Sequence, residues 1–144
     1  MASPHQAPPL GSIIESVLYT QDMARAREFF ARVLGLTADL EDERFTAYPT
    51  GNTMLLVFQQ GQTGETVQLP HDMGTIPPHD GAGRQHLALA IPAGSLEAWE
   101  AHLAGQGIEI EGRTRWPKDS VSLYFRDPDG HLLELVTPGL WPCY

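Results

Sequence analysis

A chain of 144 residues, 42% of them hydrophobic, can bury one core, so we expect a single folded domain. Its formal net charge of −9 argues against a nucleic-acid partner, and its one cysteine, Cys143, excludes an internal disulfide. The sequence contains neither an apolar membrane span nor a secretory signal, so we expect a cytoplasmic protein without a membrane partner.

The first half of the chain predicts a strand, a helix and three further strands, in that order. Residues 1–11 are expected to form a flexible leader, and the apolar pattern after them predicts a strand over 13–19. A helix is predicted over 22–34, because apolar residues recur on one face, Asp22 can cap its start and Gly35 can end it. Short strands are expected near 37–40, 45–48 and 53–58.

The second half repeats this order. A strand is predicted over 85–91 and a helix over 95–104, where apolar side chains again form a stripe. Strands are expected near 108–112, 121–126 and 132–136. Between the halves, a segment rich in glycine, threonine, proline and histidine is either a functional lid or a plain linker.

A tight turn in the second half leads into a strand with one carboxylate among apolar residues. The turn, Asp-Pro-Asp-Gly at 127–130, has proline to preset φ and glycine to supply a positive φ, so its flanks should pair as antiparallel strands. In the strand that follows, Glu134 shares a face with Leu132 and Val136. A carboxylate buried on such a face must be neutralised, be paired or bind a metal ion.

The repeat makes Glu15 and His86 equivalent, since each stands near the start of the first strand of its half. Ala88 and Ala90 follow His86 on the same strand face, and such small side chains leave room for a cavity. The predicted fold class is α+β, with two tandem βαβββ modules. The predicted single domain covers 12–138, with a first module over 12–59, a connecting loop over 60–83 and a second module over 84–138. A tail over 139–144 follows the domain.

Three sequence segments resemble the vicinal oxygen chelate superfamily, which includes glyoxalase I, extradiol dioxygenases, fosfomycin-resistance enzymes and bleomycin-binding proteins. They are Leu-Tyr-Thr-Gln-Asp at 18–22 with Phe-Phe at 29–30 and Leu-Gly-Leu at 34–36, Gly-Arg-Gln-His-Leu-Ala at 83–88, and Tyr-Phe-Arg-Asp-Pro-Asp-Gly at 124–130 with Glu134. The resemblance covers about residues 12 to 138. It implies half-open mixed β-barrels with a helix outside each, a divalent ion inside the barrel, and open positions on the ion for water or two substrate oxygens.

The resemblance carries metal-ligand roles onto Glu15, His86 and Glu134, at the starts of the two first strands and in the last strand. Glu15 stands where dioxygenases of the family usually have histidine, so the set becomes one imidazole and two carboxylates. Such ligands suit Mn²⁺ or Fe²⁺, while Zn²⁺ and Ni²⁺ also fit. Glyoxalase I enzymes have a fourth ligand where this chain offers Leu55 or Leu56, which argues against their reaction. Alternatively, the three residues form a polar cluster without metal.

Three further residues are candidates for catalytic roles. Tyr124 precedes Glu134 by one strand and resembles the active-site tyrosine of the extradiol enzymes, although cross-strand packing would also explain it. His71 resembles their acid-base histidine in its spacing to His86, and His79 competes with it for that role.

The expected function is that of a metal-dependent enzyme acting on a small substrate that chelates the ion through oxygens, with dioxygenase-like or lyase- or isomerase-like chemistry. The alternative is a bleomycin-resistance-like protein that binds a small molecule or antibiotic without catalysis. Small members of the family usually form homodimers in which modules of both chains complete each barrel. Glu15 could therefore meet His86 and Glu134 of its own chain or of a partner.

Overall fold

The computed structural model describes residues 6–144, so residues 1–5 of the expected leader lie outside the described residues. The first half contains β1 (Glu15–Thr20), α1 (Met23–Arg32), β2 (Leu40–Glu41), β3 (Phe45–Thr50) and β4 (Thr53–Gln59). The connecting segment contains β5 (Val67–Gln68) and β6 (Thr75–Ile76). The second half contains β7 (His86–Ala90), α2 (Leu96–Gly105), β8 (Gly112–Arg115), β9 (Val121–Arg126) and β10 (Leu132–Val136).

The two halves form open four-stranded sheets with the same strand order. The first sheet runs β1-β4-β3-β2 and the second β7-β10-β9-β8. In each sheet the first strand pairs in parallel with the last strand of its half, and the remaining pairs are antiparallel. The prediction of a duplicated α+β fold is thus confirmed. Among the described residues, no helix has both the length and the apolar character needed to cross a membrane.

Each helix covers one face of its sheet and leaves the other face for a site. Asp22 caps α1 by accepting a hydrogen bond from the Arg25 amide, as the sequence predicts. Phe30 of α1 and Leu103 of α2 are fully buried in one core with β-strand residues of both halves, such as Leu55 and Leu133. Side chains alternate along a strand, so Glu15 and Glu134 belong to the faces opposite this core.

The turn at 127–130 joins the two modules. The ring of His131, just after the turn, accepts a hydrogen bond at Nδ1 from the Gln85 amide (2.9 Å) and donates from Nε2 to the Tyr19 carbonyl (2.7 Å). The Asp129 carboxylate accepts bonds from the Thr20 hydroxyl (2.6 Å) and the Gln21 amide (3.0 Å). These contacts hold the end of β1 against the start of β7.

Three parts of the chain differ from the strands that the sequence predicts. The strand expected near 37–40 is found as β2 over Leu40–Glu41. The strand expected over 108–112 is shifted, because Ile108 and Ile110 pack against the core and the paired ladder begins only at Gly112, opposite Tyr124. The connecting segment, which carries no sequence-predicted strand, contains the β5–β6 hairpin.

Candidate metal site and its cavity

The structure brings His86 and Glu134 together on the open face of the second sheet. Nε2 of His86 lies 3.2 Å from Oε1 of Glu134. Nδ1 of His86 is 2.8 Å from the Leu132 carbonyl oxygen, and a carbonyl can only accept, so Nδ1 carries the proton. The other ring nitrogen, Nε2, therefore faces the carboxylate. Backbone anchoring of one ring nitrogen is the usual arrangement of a histidine whose other nitrogen binds a metal.

The separation of these two atoms fits a shared ion. Metal–nitrogen and metal–oxygen bonds are both roughly 2.1 Å, so two ligand atoms at about a right angle are about 3 Å apart. Without an ion, a proton on Nε2 would be needed to make the contact favourable. The donor set, one imidazole and one carboxylate, suits Zn²⁺, Mn²⁺ or Fe²⁺.

Glu134 is held in place by a short chain of hydrogen bonds. The Ser122 hydroxyl donates to Oε2 of Glu134 at 2.5 Å, and the Trp116 indole nitrogen donates to the Ser122 oxygen at 2.8 Å. Because the indole can only donate, the serine proton is directed at the carboxylate. This relay is not predicted from the sequence, although strand alternation places Ser122 on the face of Tyr124.

A cavity of about 550 Å³ opens beside the pair. Tyr124, directly opposite Glu134 in the β9–β10 register, lines this cavity. Its remaining walls are mainly apolar and aromatic: Ala88, Ala90, Trp116, Val136, Leu140, Trp141 and Tyr144, with Thr137. A mostly apolar pocket with a few convergent polar groups is typical of small-molecule sites.

Glu15 does not join this pair within one chain. It is exposed at the start of β1, and the described residues do not gather it with His86 and Glu134 into a three-ligand group. Register and alternation place it on a face whose other members are uncharged. They are Val17, Tyr19, Leu40, Phe45, Ala47, Pro49, Met54, Leu56 and Phe58.

The register also decides which leucine replaces the fourth ligand of glyoxalase I. Two residues beyond His86, Ala88 pairs with Glu134. Two residues beyond Glu15, Val17 pairs with Leu56. Leu56 is therefore the counterpart of Glu134, whereas Leu55, only 1% exposed, belongs to the core.

Neither candidate histidine lines the cavity in the single chain. His71 is exposed in the turn of the β5–β6 hairpin, with a left-handed φ of 57°. His79 lies on the Glu15 face, where its Nδ1 is 2.6 Å from the Tyr19 hydroxyl and its ring packs against Phe58. Burial, with a smaller effect from Asp80, raises the pKa of the Tyr19 phenol, so this hydroxyl keeps its proton at neutral pH.

A second group of potential ligands, formed by Asp127, Asp129 and His131, has ligand atoms within 4.8 Å of one another. Both ring nitrogens of His131 are already used in the bonds that join the modules. Oδ1 of Asp127 accepts from the amides of Asp129 and His131, and both oxygens of Asp129 accept from β1 and the residue after it. These hydrogen bonds explain why the three side chains lie close together, which is to hold the turn and to join the two modules.

The chain is similar in sequence to a known protein family and to several of its members. The profile of the Glyoxalase/Bleomycin resistance protein/Dioxygenase superfamily matches residues 12–135. Metallothiol transferase FosB of Bacillus licheniformis is 31% identical over 121 residues, which is 83% of this chain and 71% of that protein.

Two further matches differ in extent. Metallothiol transferase FosB of Staphylococcus saprophyticus is 45% identical over 56 residues, which is 38% of this chain and only 37% of that protein. The crystal structure of lactoylglutathione lyase from Agrobacterium tumefaciens is similar with a TM-score of 0.81 and 29% identity, covering 93% of this chain and 98% of that one.

Proposed function

Because the chain belongs to the Glyoxalase/Bleomycin resistance protein/Dioxygenase superfamily, we propose that it is a divalent-metal-dependent enzyme whose site is shared between two protomers. His86 and Glu134 of one protomer and Glu15 of the other would hold the ion. The observation that carries this proposal is the His86–Glu134 pair, whose Nε2 and Oε1 atoms are 3.2 Å apart among the residues that line the cavity.

The surroundings of Glu15 support a second protomer. Ile13, Ile14 and Leu40 near it are 77%, 71% and 55% exposed, and Val17 beside it is 37% exposed. An apolar surface of this kind marks an interaction site. Covering it with the open face of the second module of another copy would bury these side chains and bring Glu15 to the ion. Homodimers of this kind have two equivalent sites.

The reaction that we propose is transfer of a thiol to a small electrophile that carries an oxygen. Relatives named metallothiol transferase support this class, and Leu56 at the position of a fourth ligand supports it over a lyase of the glyoxalase I kind. The bound ion would act as a Lewis acid on the substrate oxygen.

The chain's own residues would orient the reactants. Ser122 holds the Glu134 carboxylate through one oxygen and leaves the other free for the ion. Tyr124, opposite Glu134, can donate a hydrogen bond from its phenol to a substrate oxygen. His79 lies on the face that carries Glu15, so a proton-transfer role there depends on the partner's first module.

Mixed dimers test the shared site. Glu15→Ala and Glu134→Ala should each lose the metal when purified without chelators. Their co-expression should restore about a quarter of the wild-type metal content, since half of randomly mixed dimers are heterodimers with one intact site. No recovery in verified heterodimers would overturn the shared site, and full metal content in either single variant would overturn that ligand.

The aromatic cavity walls support a second candidate function, binding of a small molecule without catalysis. Such a protein would bind its aromatic ligand equally well with and without metal. This second function would be excluded if elemental analysis found about one metal ion per chain and if ligand binding disappeared after the metal was removed by a chelator.

A further inference from the structure

One wall of the cavity is built largely by the C-terminal tail, which contributes Leu140, Trp141 and Tyr144. The Tyr144 hydroxyl reaches Ile91, just past the end of β7 opposite to His86, whereas Trp116, directly after β8, lies between this wall and Glu134. The tail is folded into a closed turn, in which the Gly139 amide donates to the Tyr144 carbonyl and the Tyr144 amide donates to the Trp141 carbonyl. These two backbone bonds fix the shape of the wall.

The polar atoms of this wall are already engaged. The Trp116 indole nitrogen donates to Ser122, and the Tyr144 hydroxyl donates to the Ile91 carbonyl at 2.9 Å. What these two side chains present to the cavity is ring surface. Trp141 is 66% exposed, so its indole has a large area still available for contact with a ligand.

The described residues that line the cavity provide no cationic side chain to bind an anionic group of a ligand at this wall. None of the described residues that line the cavity is lysine or arginine, and its ionisable side chains His86 and Glu134 stand at the metal end. The first-module face expected to cover the cavity adds Glu15, the His79 imidazole and otherwise uncharged residues, with no lysine or arginine among its strand residues. A phosphonate or phosphate would need charged or backbone donors, and arginine is the residue that most often supplies them.

We infer that this wall of the cavity, the tail subsite, binds an uncharged aromatic group of the substrate. This inference rests on the proposed function and narrows its substrate class to neutral molecules in which an aryl group is joined to the oxygens that reach the ion. The volume of about 550 Å³ is larger than a chelating group alone requires. Ring-on-ring contact and loss of hydrated apolar surface provide the binding energy.

Two matched chelators test the tail subsite. Acetohydroxamic acid and benzohydroxamic acid bind a metal through the same two oxygens and differ in a methyl or a phenyl group. Calorimetric titration of the Mn²⁺-loaded protein should give roughly 10-fold or tighter binding of benzohydroxamic acid. Trp141→Ala should reduce this advantage roughly 3- to 10-fold and leave the affinity for acetohydroxamic acid unchanged. Phenylphosphonate should bind more weakly than benzohydroxamic acid.

The control variant is Met73→Ala, at a residue that is 68% exposed in the connecting segment and outside the cavity. It should bind both hydroxamic acids as the wild type does. Equal affinities for the two acids, or an unchanged preference in Trp141→Ala, would overturn the tail subsite while leaving the metal site in place. Failure of the protein to bind Mn²⁺, or either acid, would overturn the proposed function and the subsite together.

Discussion

Leu56 stands in the first module at the register position that Glu134 holds in the second. Leu56 is half-buried on the face that carries Glu15, so the first module offers the proposed ion one ligand, whereas the second module offers two, His86 and Glu134. The protein would then supply three ligands, and the remaining coordination positions would be open to substrate. Open positions distinguish catalytic metal sites from closed structural ones.

Restoring the missing carboxylate is a direct test of this symmetry. Leu56→Glu should raise the affinity for Zn²⁺ roughly 10-fold, because a fourth protein ligand would then join Glu15, His86 and Glu134 at the ion. Leu56→Gln, with the same length and no charge, is the matched control and should leave the affinity near that of the wild type. Competition titrations with Mn²⁺ and Zn²⁺ measure the effect, and equal affinities of the two variants would contradict the placement of Leu56 beside the ion.

The Ser122 relay predicts a loss of metal affinity without loss of the ligands. Ser122→Ala removes the donor to Glu134 and should weaken metal binding roughly 10- to 100-fold, the usual effect of removing a partner of a metal ligand. Trp116→Phe keeps an aromatic wall but removes the indole donor, so it should weaken binding less. Ser122→Thr retains a hydroxyl and should recover most of the affinity. If Thr and Ala behave alike, packing at position 122 controls the site and the hydrogen bond does not.

Short sequence patterns were sufficient to predict those elements whose structure depends on neighbouring residues in the chain. The turn at 127–130 was predicted, and the strands on both sides of it lie where they were expected, because proline, glycine and alternating side chains act over a few positions. The same alternation places Glu134 on a face with Leu132 and Val136, and in the structure its exposed fraction there is 5%. The Asp22 cap was predicted from its place before the apolar stripe of α1.

Features that depend on distant residues were not predictable in this way. The start of β8 depends on how Ile108 and Ile110 meet the core, which their own spacing does not specify. Trp116 reaches Ser122 only because the turn after β8 folds back, so the sequence gives no sign of that contact. The separation of Glu15 from His86 depends on how the two modules are placed, which no strand pattern encodes.

Changing Glu15 should alter the choice of metal. Glu15→His replaces a carboxylate by an imidazole and should shift the preference from Mn²⁺ toward Zn²⁺ roughly 10-fold, because nitrogen ligands favour the later ion. Glu15→Leu should lose most binding. Glu43→His, at an exposed glutamate between β2 and β3, controls for an added surface histidine. Competition titrations that give one preference for all three variants and the wild type would remove Glu15 from the site.

The buried turn carboxylate predicts a pH dependence of stability. Burial raises the pKa of the Asp127 carboxyl above its ordinary 3.8, against a lowering effect of His131. The folded chain binds this proton more tightly than the unfolded chain, so the contribution of Asp127 to the free energy of unfolding falls as pH rises from 3.8 through the raised pKa. In Asp127→Asn the amide oxygen can still accept both turn bonds.

The free energy of unfolding of Asp127→Asn, relative to the wild type, should therefore increase between pH 4 and pH 7. Urea unfolding at several pH values measures this difference. Asp42→Asn is the matched control, because Asp42 accepts the same kind of backbone bonds, from the amides of Arg44 and Phe45, at an exposed position. A difference for Asp127→Asn that stays constant or falls with pH would mean that the hydrogen bonds to the carboxylate outweigh the cost of burying its charge.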